Sequence, residues 1–402
     1  MKILIADNFE PWGVDQLKGM ATELVHEPGL KGAALKDKLQ QFDPDVLVVR
    51  STKVSADVLG GAQSLRLIIR AGSGVDTIDV KAASDRGIMV SNCPGANSAA
   101  VAELTMGLII ALDRRIPDNV ADLRRHAWNK KGYSKGARGL KGRTLGIVGA
   151  GRIGTEVARR ALAFDMNVLY FHLGRNLRLV DYPNCKRAEL DDLLRFSDII
   201  TVHVPGGEST RHLLDERRLS LMKPHALLIN TSRADVIDEA ALIKALRSGA
   251  LRGAAVDVYH GEPPADATEI NSPLAEIPNL YGTHHIGAST EQAQLAVAEE
   301  TVRIVMHYRG SGKILNCVNL QKPLTRCMLV VRLRNKPGGL AHVFQQISEA
   351  GINAEEMDHT VYDGGTAAVA HIRLDKQPNE QTLTRIREGH ANVLGVELMT
   401  VD

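Results

Sequence analysis

One stretch, Gly149-Ala150-Gly151-Arg152-Ile153-Gly154, constrains the fold of this chain more than any other. The G-x-G-x-x-G spacing is weak alone, since glycine-rich chains produce it by chance, but its context is specific. A strand-like run, Thr144 to Val148, precedes it, a helical pattern from Arg152 to Phe164 follows, and a second strand-like run spans Asn167 to Phe171. Small residues there permit a tight turn and let a pyrophosphate approach backbone N–H groups at a helix N-terminus. Residues 144–171 thus read as the opening βαβ unit of a dinucleotide-binding sheet, with Gly149, Gly151, Arg152, Ile153 and Gly154 at the pyrophosphate. An acidic residue about 20 positions on normally accepts hydrogen bonds from the adenosine ribose. Here His172 stands at the strand end. Without a carboxylate the site lacks its main repulsion against a 2′-phosphate, and His172 with Arg175 would attract one, or His172 simply bonds the ribose. NAD is the expected cofactor, with NADP left open.

The β/α alternation continues through Ile199 to Val202, Ala226 to Asn230, Gly253 to Val258 and Leu280 to Gly282, six strands in an order that suits a Rossmann-type, doubly wound parallel sheet. Before it, residues 1–95 alternate apolar runs (Ile3 to Ala6, Asp45 to Val49, Leu67 to Ala71, Ile88 to Val90) with helical stretches, the pattern of a second parallel sheet. A long helix is expected from Asn97 to Arg115, a basic connection from Arg124 to Arg143, and a helix from Thr290 to His307. Residues 325–402 read βαββαβ, a ferredoxin-like unit. At roughly 150 residues per domain, 402 residues suit two or three cores.

Composition narrows the partners. With 49 Lys+Arg against 47 Asp+Glu the net charge is +2, too small a field to gather nucleic acid or anionic membrane, and 4% aromatics leave few stacking platforms. Neither partner is expected. The four cysteines form no C-x-x-C pair, which suits a reducing, cytoplasmic compartment, and Met1 to Asp7 lacks the form of a signal peptide. The apolar run Ala99 to Leu112 is broken by Glu103 and is shorter than the roughly 20 residues of a membrane span, so it reads as a buried or interface helix. No metal site is expected.

Three segments stand where strand ends should line a cleft: Asn230-Thr231-Ser232-Arg233, Asp257 to Pro263, and His284-His285-Ile286-Gly287. They supply a cation, carboxylates and an imidazole, the groups that hydride removal from a hydroxy acid requires: a base for the hydroxyl proton and a cation for the carboxylate and carbonyl oxygens.

Over residues 1 to 320 these motifs, with Ala71-Gly72-Ser73-Gly74-Val75-Asp76 and with Asn97 before Val101-Ala102-Glu103, resemble the D-isomer-specific 2-hydroxyacid dehydrogenase family in order and spacing. The resemblance implies a substrate-binding, flavodoxin-like α/β domain from residues 1–96 plus 290–320 around an NAD(P)-binding domain of residues 97–289. It implies His285 as acid/base, Glu262 as its orienting partner and Arg233 on the substrate carboxylate. It also implies cofactor contacts at Ser73, Pro205, Thr231, Asp257 and His285, and substrate contacts at Arg50, Ser51 and Gly74. Ala288-Ser289-Thr290 and the C-terminal unit are similar to the branch of that family that oxidises 3-phospho-D-glycerate to 3-phosphohydroxypyruvate for L-serine synthesis. For the phosphate, Arg50 leads, with Lys130 or Lys131 second; a solvated basic face is the competing reading of 124–143. His284 stands where the family carries proline and reads as a loop residue.

Asn335-Lys336-Pro337-Gly338 and Ala350-Gly351-Ile352-Asn353 resemble the ACT module, pairs of which bind serine at their interface in related dehydrogenases. Asn335 and Asn353 match the module's asparagines, but Leu333 replaces its histidine, so dimerisation without a serine response is the alternative. A homodimer or homotetramer is expected. Two other readings of the chain remain: a glyoxylate or hydroxypyruvate reductase, and a non-catalytic NAD-sensing, partner-binding protein.

Overall fold

The structure, a computed structural model, describes residues 1–172, 179, 182–263, 267–320 and 327–400. Arg175, and the ends of two expected C-terminal strands at Arg326 and Val401, lie outside the described residues. The chain forms two compact units, Met1–Asn319 and Leu320–Asp402.

The first unit contains two parallel sheets. β1 (Lys2–Ile5), β2 (Glu23–His26), β3 (Val46–Val49), β4 (Leu67–Arg70) and β5 (Met89–Asn92) are ordered β2-β1-β3-β4-β5, the flavodoxin-like arrangement. Covered on both faces, the central strands read as unbroken apolar runs, and Ile3, Leu4, Leu47 and Ile68 are fully buried. Part of one face is covered by the distant helix Glu291–Ser311, whose Val302, Ile304 and Val305 join Ile3, Val46 and Leu67 in one cluster. That helix ties the far flank of the chain to this sheet.

β6 (Thr144–Val148), β7 (Asn167–Phe171), β8 (Cys185–Arg187), β9 (Ile199–Val202), β10 (Leu227–Asn230), β11 (Gly253–Val256) and β12 (Leu280–Gly282) are ordered β12-β11-β10-β9-β6-β7-β8, all parallel. The strand order reverses between β6 and β9, opening a crevice at their carboxyl ends where ligands of such sheets bind. The helix Ser98–Arg114 buries Met106, Ile109 and Leu112 against this sheet. Its Asp113, 1% exposed, accepts from Arg143 Nη1 at 2.9 Å and from the Gly139 backbone N–H at 2.9 Å, fastening the connection that enters β6. No helix among the described residues is long and apolar enough to cross a membrane.

The second unit carries β13 (Cys327–Arg334), β14 (Ala354–Val361), β15 (Ala367–Leu374) and β16 (Val393–Thr400), antiparallel in the order β14-β15-β13-β16, with helices Gly339–Glu349 and Glu380–Glu388. This is the expected βαββαβ unit, and Leu329, Val331, Val343, Ile347, Ile372 and Ile386 form its core.

Two strands give no signal in the sequence, β2 and β8. Both are sheet edges with polar residues (Glu23 and His26; Lys186 and Arg187), so neither shows an apolar run. The basic connection also contains a short helix, Lys130–Ser134, preceded by the helix Ile116–Arg124.

Candidate active site

The carboxyl ends of the two parallel sheets supply the site. On β1, the chain passes Ile5 into Asp7, a 9% exposed carboxylate that accepts five hydrogen bonds from the segment after β3. They come from the Arg50, Ser51 and Thr52 backbone N–H groups (2.6, 3.1 and 3.0 Å) and from the Ser51 and Thr52 hydroxyls (3.1 and 3.0 Å). Asp7 therefore fixes the loop that presents Arg50. Arg50 reaches Gln294 Oε1 at 3.5 Å, a long contact that leaves its guanidinium weakly engaged.

Arg70 ends β4 and lies over Gly72, where φ is +154° and the guanidinium fills the space a side chain would need. Burial, then the neighbouring charges of Arg233 and Arg50, pull its pKa down, against Asp76 and Cys93. Its buried Nε has no partner among the described residues. Ser73 donates to Asn97 Oδ1 at 2.7 Å, which joins the β4 loop to the helix entering the second sheet. Gly74 has no room for a side chain because Arg233 Nη2 sits against it. Arg233 donates through Nε and Nη2 to Asp76 Oδ2 (3.0 and 2.6 Å) and through Nη1 to the Ser232 carbonyl (2.7 Å). Among the described residues the Arg233–Asp76 ion pair thus joins the two sheets, and Arg50, Arg70 and Arg233 share a corner.

In the second sheet, Gly149 follows β6 with φ +102°, and a side chain there would collide with the His203–Val204 backbone. Gly154 is closed by the Gly149 carbonyl, whereas nothing stands within 4 Å of a Cβ built on Gly151. Gly151 caps the helix Arg152–Ala163, so the open space lies against that helix's free N–H groups. This cradle fits a pyrophosphate. Thr231 is buried against Thr105 (Oγ1 to Oγ1, 3.0 Å), and the Pro205 carbonyl accepts from Thr210. His172 lies at the end of β7, its carbonyl accepting from Arg187 Nη2 at 3.2 Å.

His285 Nδ1 lies 2.7 Å from Glu262 Oε2, and Glu262 Oε1 accepts from the Tyr259 backbone N–H at 3.0 Å. The hydrogen bond to Glu262 raises the His285 pKa, with burial opposing. Burial pushes the Glu262 carboxyl up, but the bonds from His285 and Tyr259 outweigh it and leave it below its ordinary value. With Nδ1 engaged, Nε2 is the nitrogen left to exchange a proton. His285 has φ +52°, a left-handed conformation unusual for a residue with a side chain. Asp257, 1% exposed, holds the turn: Oδ1 accepts from Thr283 Oγ1 (2.6 Å) and the Ile286 N–H (2.9 Å), Oδ2 from the Gly287 N–H (2.8 Å). Both Asp257 oxygens are thereby engaged within the turn that carries His285. His284 is exposed on the same loop.

Lys130 and Lys131 are exposed, and their side chains form no hydrogen bond or ion pair among the described residues. In the second unit Asn335 donates to the Gly365 carbonyl at 2.9 Å and lines a cavity of about 330 Å³ with Leu333, Arg334, Lys336 and His359. Asn353 precedes β14 and bonds Asp375, at the opposite end of the sheet, so one chain does not bring the two asparagines together.

A glycine cradle at the switch point of a doubly wound sheet, with a paired imidazole and carboxylate and an arginine at neighbouring strand ends, defines a nicotinamide-dependent oxidoreductase. Residues 106–287 match the model of the D-isomer specific 2-hydroxyacid dehydrogenase NAD-binding domain. The chain is 39% identical over 382 residues to a D-3-phosphoglycerate dehydrogenase of Methanocaldococcus jannaschii, covering 91% of this chain and 68% of that protein. It is 34% identical to the D-3-phosphoglycerate dehydrogenase of Escherichia coli, covering 94% and 92%. A hydroxypyruvate reductase of Thermotoga maritima is 43% identical, covering 68% and 89%. Among solved structures, an NADPH-dependent glyoxylate/hydroxypyruvate reductase of Sinorhizobium meliloti in complex with NADP and malonate is similar with TM-score 0.68 and 28% identity, covering 79% and 96%. An NAD-dependent formate dehydrogenase of Staphylococcus aureus in complex with NAD is similar with TM-score 0.68 and 27% identity, covering 79% and 98%. The chain belongs to the D-isomer-specific 2-hydroxyacid dehydrogenase family.

Proposed function

We propose that this chain oxidises 3-phospho-D-glycerate to 3-phosphohydroxypyruvate, the entry step to L-serine, with NAD as cofactor. The His285–Glu262 pair beside Arg233 carries the reading. The cofactor, when bound, accepts a hydride from the substrate carbon. His285 Nε2 takes the hydroxyl proton as that C–H bond breaks, and the raised pKa keeps the imidazolium stable until the proton leaves. Arg233 holds the substrate carboxylate and polarises the forming carbonyl. Arg50 and Arg70, crowded beside it with few counter-charges, supply the cationic corner that a phosphate requires. Asp257 fixes His285 and, through the same turn, the end of the crevice where the nicotinamide would sit.

Steady-state assays of the His285→Ala variant should show most of kcat lost, on the order of 10² to 10⁴-fold, with cofactor binding retained; an unchanged kcat refutes the assignment. The 43% identity to a hydroxypyruvate reductase favours a second reading, reduction of unphosphorylated hydroxypyruvate. Comparing kcat/KM for hydroxypyruvate with and without its phosphate decides between them.

The C-terminal unit reads as an ACT-like regulatory module. Since Asn335 and Asn353 lie at opposite ends of one sheet, a serine site using both requires two copies. The exposed Ile116, Val120, Leu123 and Trp128, on a helix that buries none of its residues and the loop after it, suit the same homo-oligomeric assembly.

A further inference from the structure

Arg187 takes no part in the chemistry at His285. It ends β8, the edge strand, which pairs in parallel with β7 in the register Val168 with Cys185, Leu169 with Lys186 and Tyr170 with Arg187. Both strands therefore finish on the side where the glycine loop opens. Arg187 is exposed, and its Nη2 donates to the His172 carbonyl at 3.2 Å. The guanidinium is thus tethered to the first residue beyond β7, and it forms no ion pair with a carboxylate among the described residues.

In sheets of this topology the dinucleotide lies across the carboxyl ends of the strands, and the residue ending the second strand of the βαβ unit meets the adenosine ribose. A carboxylate there accepts from the ribose hydroxyls and repels a 2′-phosphate. This chain has His172 at that place and, one strand further out, a guanidinium that among the described residues is held by one backbone bond. The remaining N–H groups of the fork can take two oxygens of a phosphate at once.

We propose that His172 and Arg187 form a subsite for the 2′-phosphate of the adenosine ribose, so that the chain binds NADPH as well as NADH. The proposal rests on the reading that the glycine loop holds a dinucleotide, and the experiment separates the two. The full chain is titrated calorimetrically with 5′-AMP and with adenosine 2′,5′-bisphosphate, and separately with NADH and NADPH by cofactor fluorescence. The wild type should bind the bisphosphate at least as tightly as the monophosphate, and NADPH within about tenfold of NADH. Arg187→Ala should shift the bisphosphate-to-monophosphate affinity ratio about tenfold toward the monophosphate, equivalent to about 1.4 kcal/mol. Arg187→Lys, which keeps the charge without the fork, should recover part of that ratio. Rising salt should weaken the bisphosphate more than the monophosphate.

A wild type that disfavours NADPH and the bisphosphate by a hundredfold or more overturns the proposal while leaving the dinucleotide reading intact. So does an Arg187→Ala variant whose ratio does not move, which is the result expected if Arg187 only ties β8 to β7. Failure of NADH itself to bind overturns the dinucleotide reading and the proposal with it.

Discussion

The left-handed turn at His285 makes Asp257 the most informative position to perturb. Holding a residue with a side chain at φ +52° costs roughly 1–2 kcal/mol, so the turn persists only because its other contacts outweigh that strain. Asp257 provides them, with three accepted hydrogen bonds to one buried carboxylate. In Asp257→Asn the remaining carbonyl oxygen can keep Thr283 Oγ1 and the Ile286 N–H, but the new amide N–H₂ faces the Gly287 N–H, donor against donor. One charge-assisted bond is lost and one buried N–H is left without a partner, a loss of about 2–3 kcal/mol in favour of the strained turn. If the relaxed turn carries His285 away from the substrate, that figure translates into a kcat about 30- to 150-fold lower. The assay is steady-state turnover of 3-phosphohydroxypyruvate with NADH, alongside direct titration of NADH. A kcat within threefold of wild type, in a folded variant, would refute this role for Asp257. A rise confined to the cofactor KM would instead show that Asp257 acts on the nicotinamide and not through His285. Thr283→Val removes one of the three bonds without creating a donor clash, and should fall between the two.

Glu262→Gln removes the negative charge that strengthens the bond raising the His285 pKa, so the fall in reductive activity with rising pH should move to lower pH, toward the ordinary imidazole value of about 6.5; a pH–rate profile with an unmoved midpoint contradicts this. Asp7→Ala frees the Arg50–Thr52 segment and should raise KM for the phosphorylated substrate between about ten- and a hundredfold. The cofactor KM and the KM for unphosphorylated hydroxypyruvate should rise far less, and an equal rise in all three would indicate general unfolding instead. Asp113→Ala leaves Arg143 buried without its counter-charge and should destabilise the first unit by about 3–5 kcal/mol in urea denaturation; a loss under 1 kcal/mol would mean the connection relaxes to let water in.

What could be read from the sequence follows a physical division. Strands buried on both faces, such as Val46–Val49 and Leu227–Asn230, announce themselves as apolar runs, and the glycine loop declares its own turn because its backbone has few alternatives. The edge strands β2 and β8 carry charge toward solvent and give no such signal. In the site, Arg233, Glu262 and His285 stand in compact motifs. Asp7 and Asp76 do not reveal their roles, since their partners lie 43 and 157 residues away and only the folded sheets bring them close. Arg70 is hidden differently: it reads as the last residue of an apolar strand, and that its buried Nε has no partner among the described residues is visible only in the folded chain, with Gly72 beneath it. A strand-end acid or base that follows a fully buried run is the one available hint, and Asp7 and Arg70 both fit it.

The same residues explain how a chain of net charge +2 can suit a highly anionic substrate. A general basic field is unnecessary if cations are gathered at one corner, but gathering them is unfavourable. Two carboxylates act on that corner in different ways. Asp7 commits its oxygens to the backbone and hydroxyls of the Arg50 segment rather than to the guanidinium, so it fixes the cation's position without cancelling its charge. Asp76 does pair with Arg233, yet it is exposed and sits on the other sheet, so an incoming carboxylate competes with it in water, where a surface ion pair contributes little. Arg70 is left with burial and two like charges against it, and an arriving substrate would relieve the corner with its phosphate at Arg50 and Arg70 and its carboxylate at Arg233. It follows that Asp76→Asn should tighten, not weaken, substrate binding by releasing Arg233, with the effect appearing in KM and not in kcat; a higher KM would show instead that Asp76 holds the guanidinium in the orientation the substrate needs.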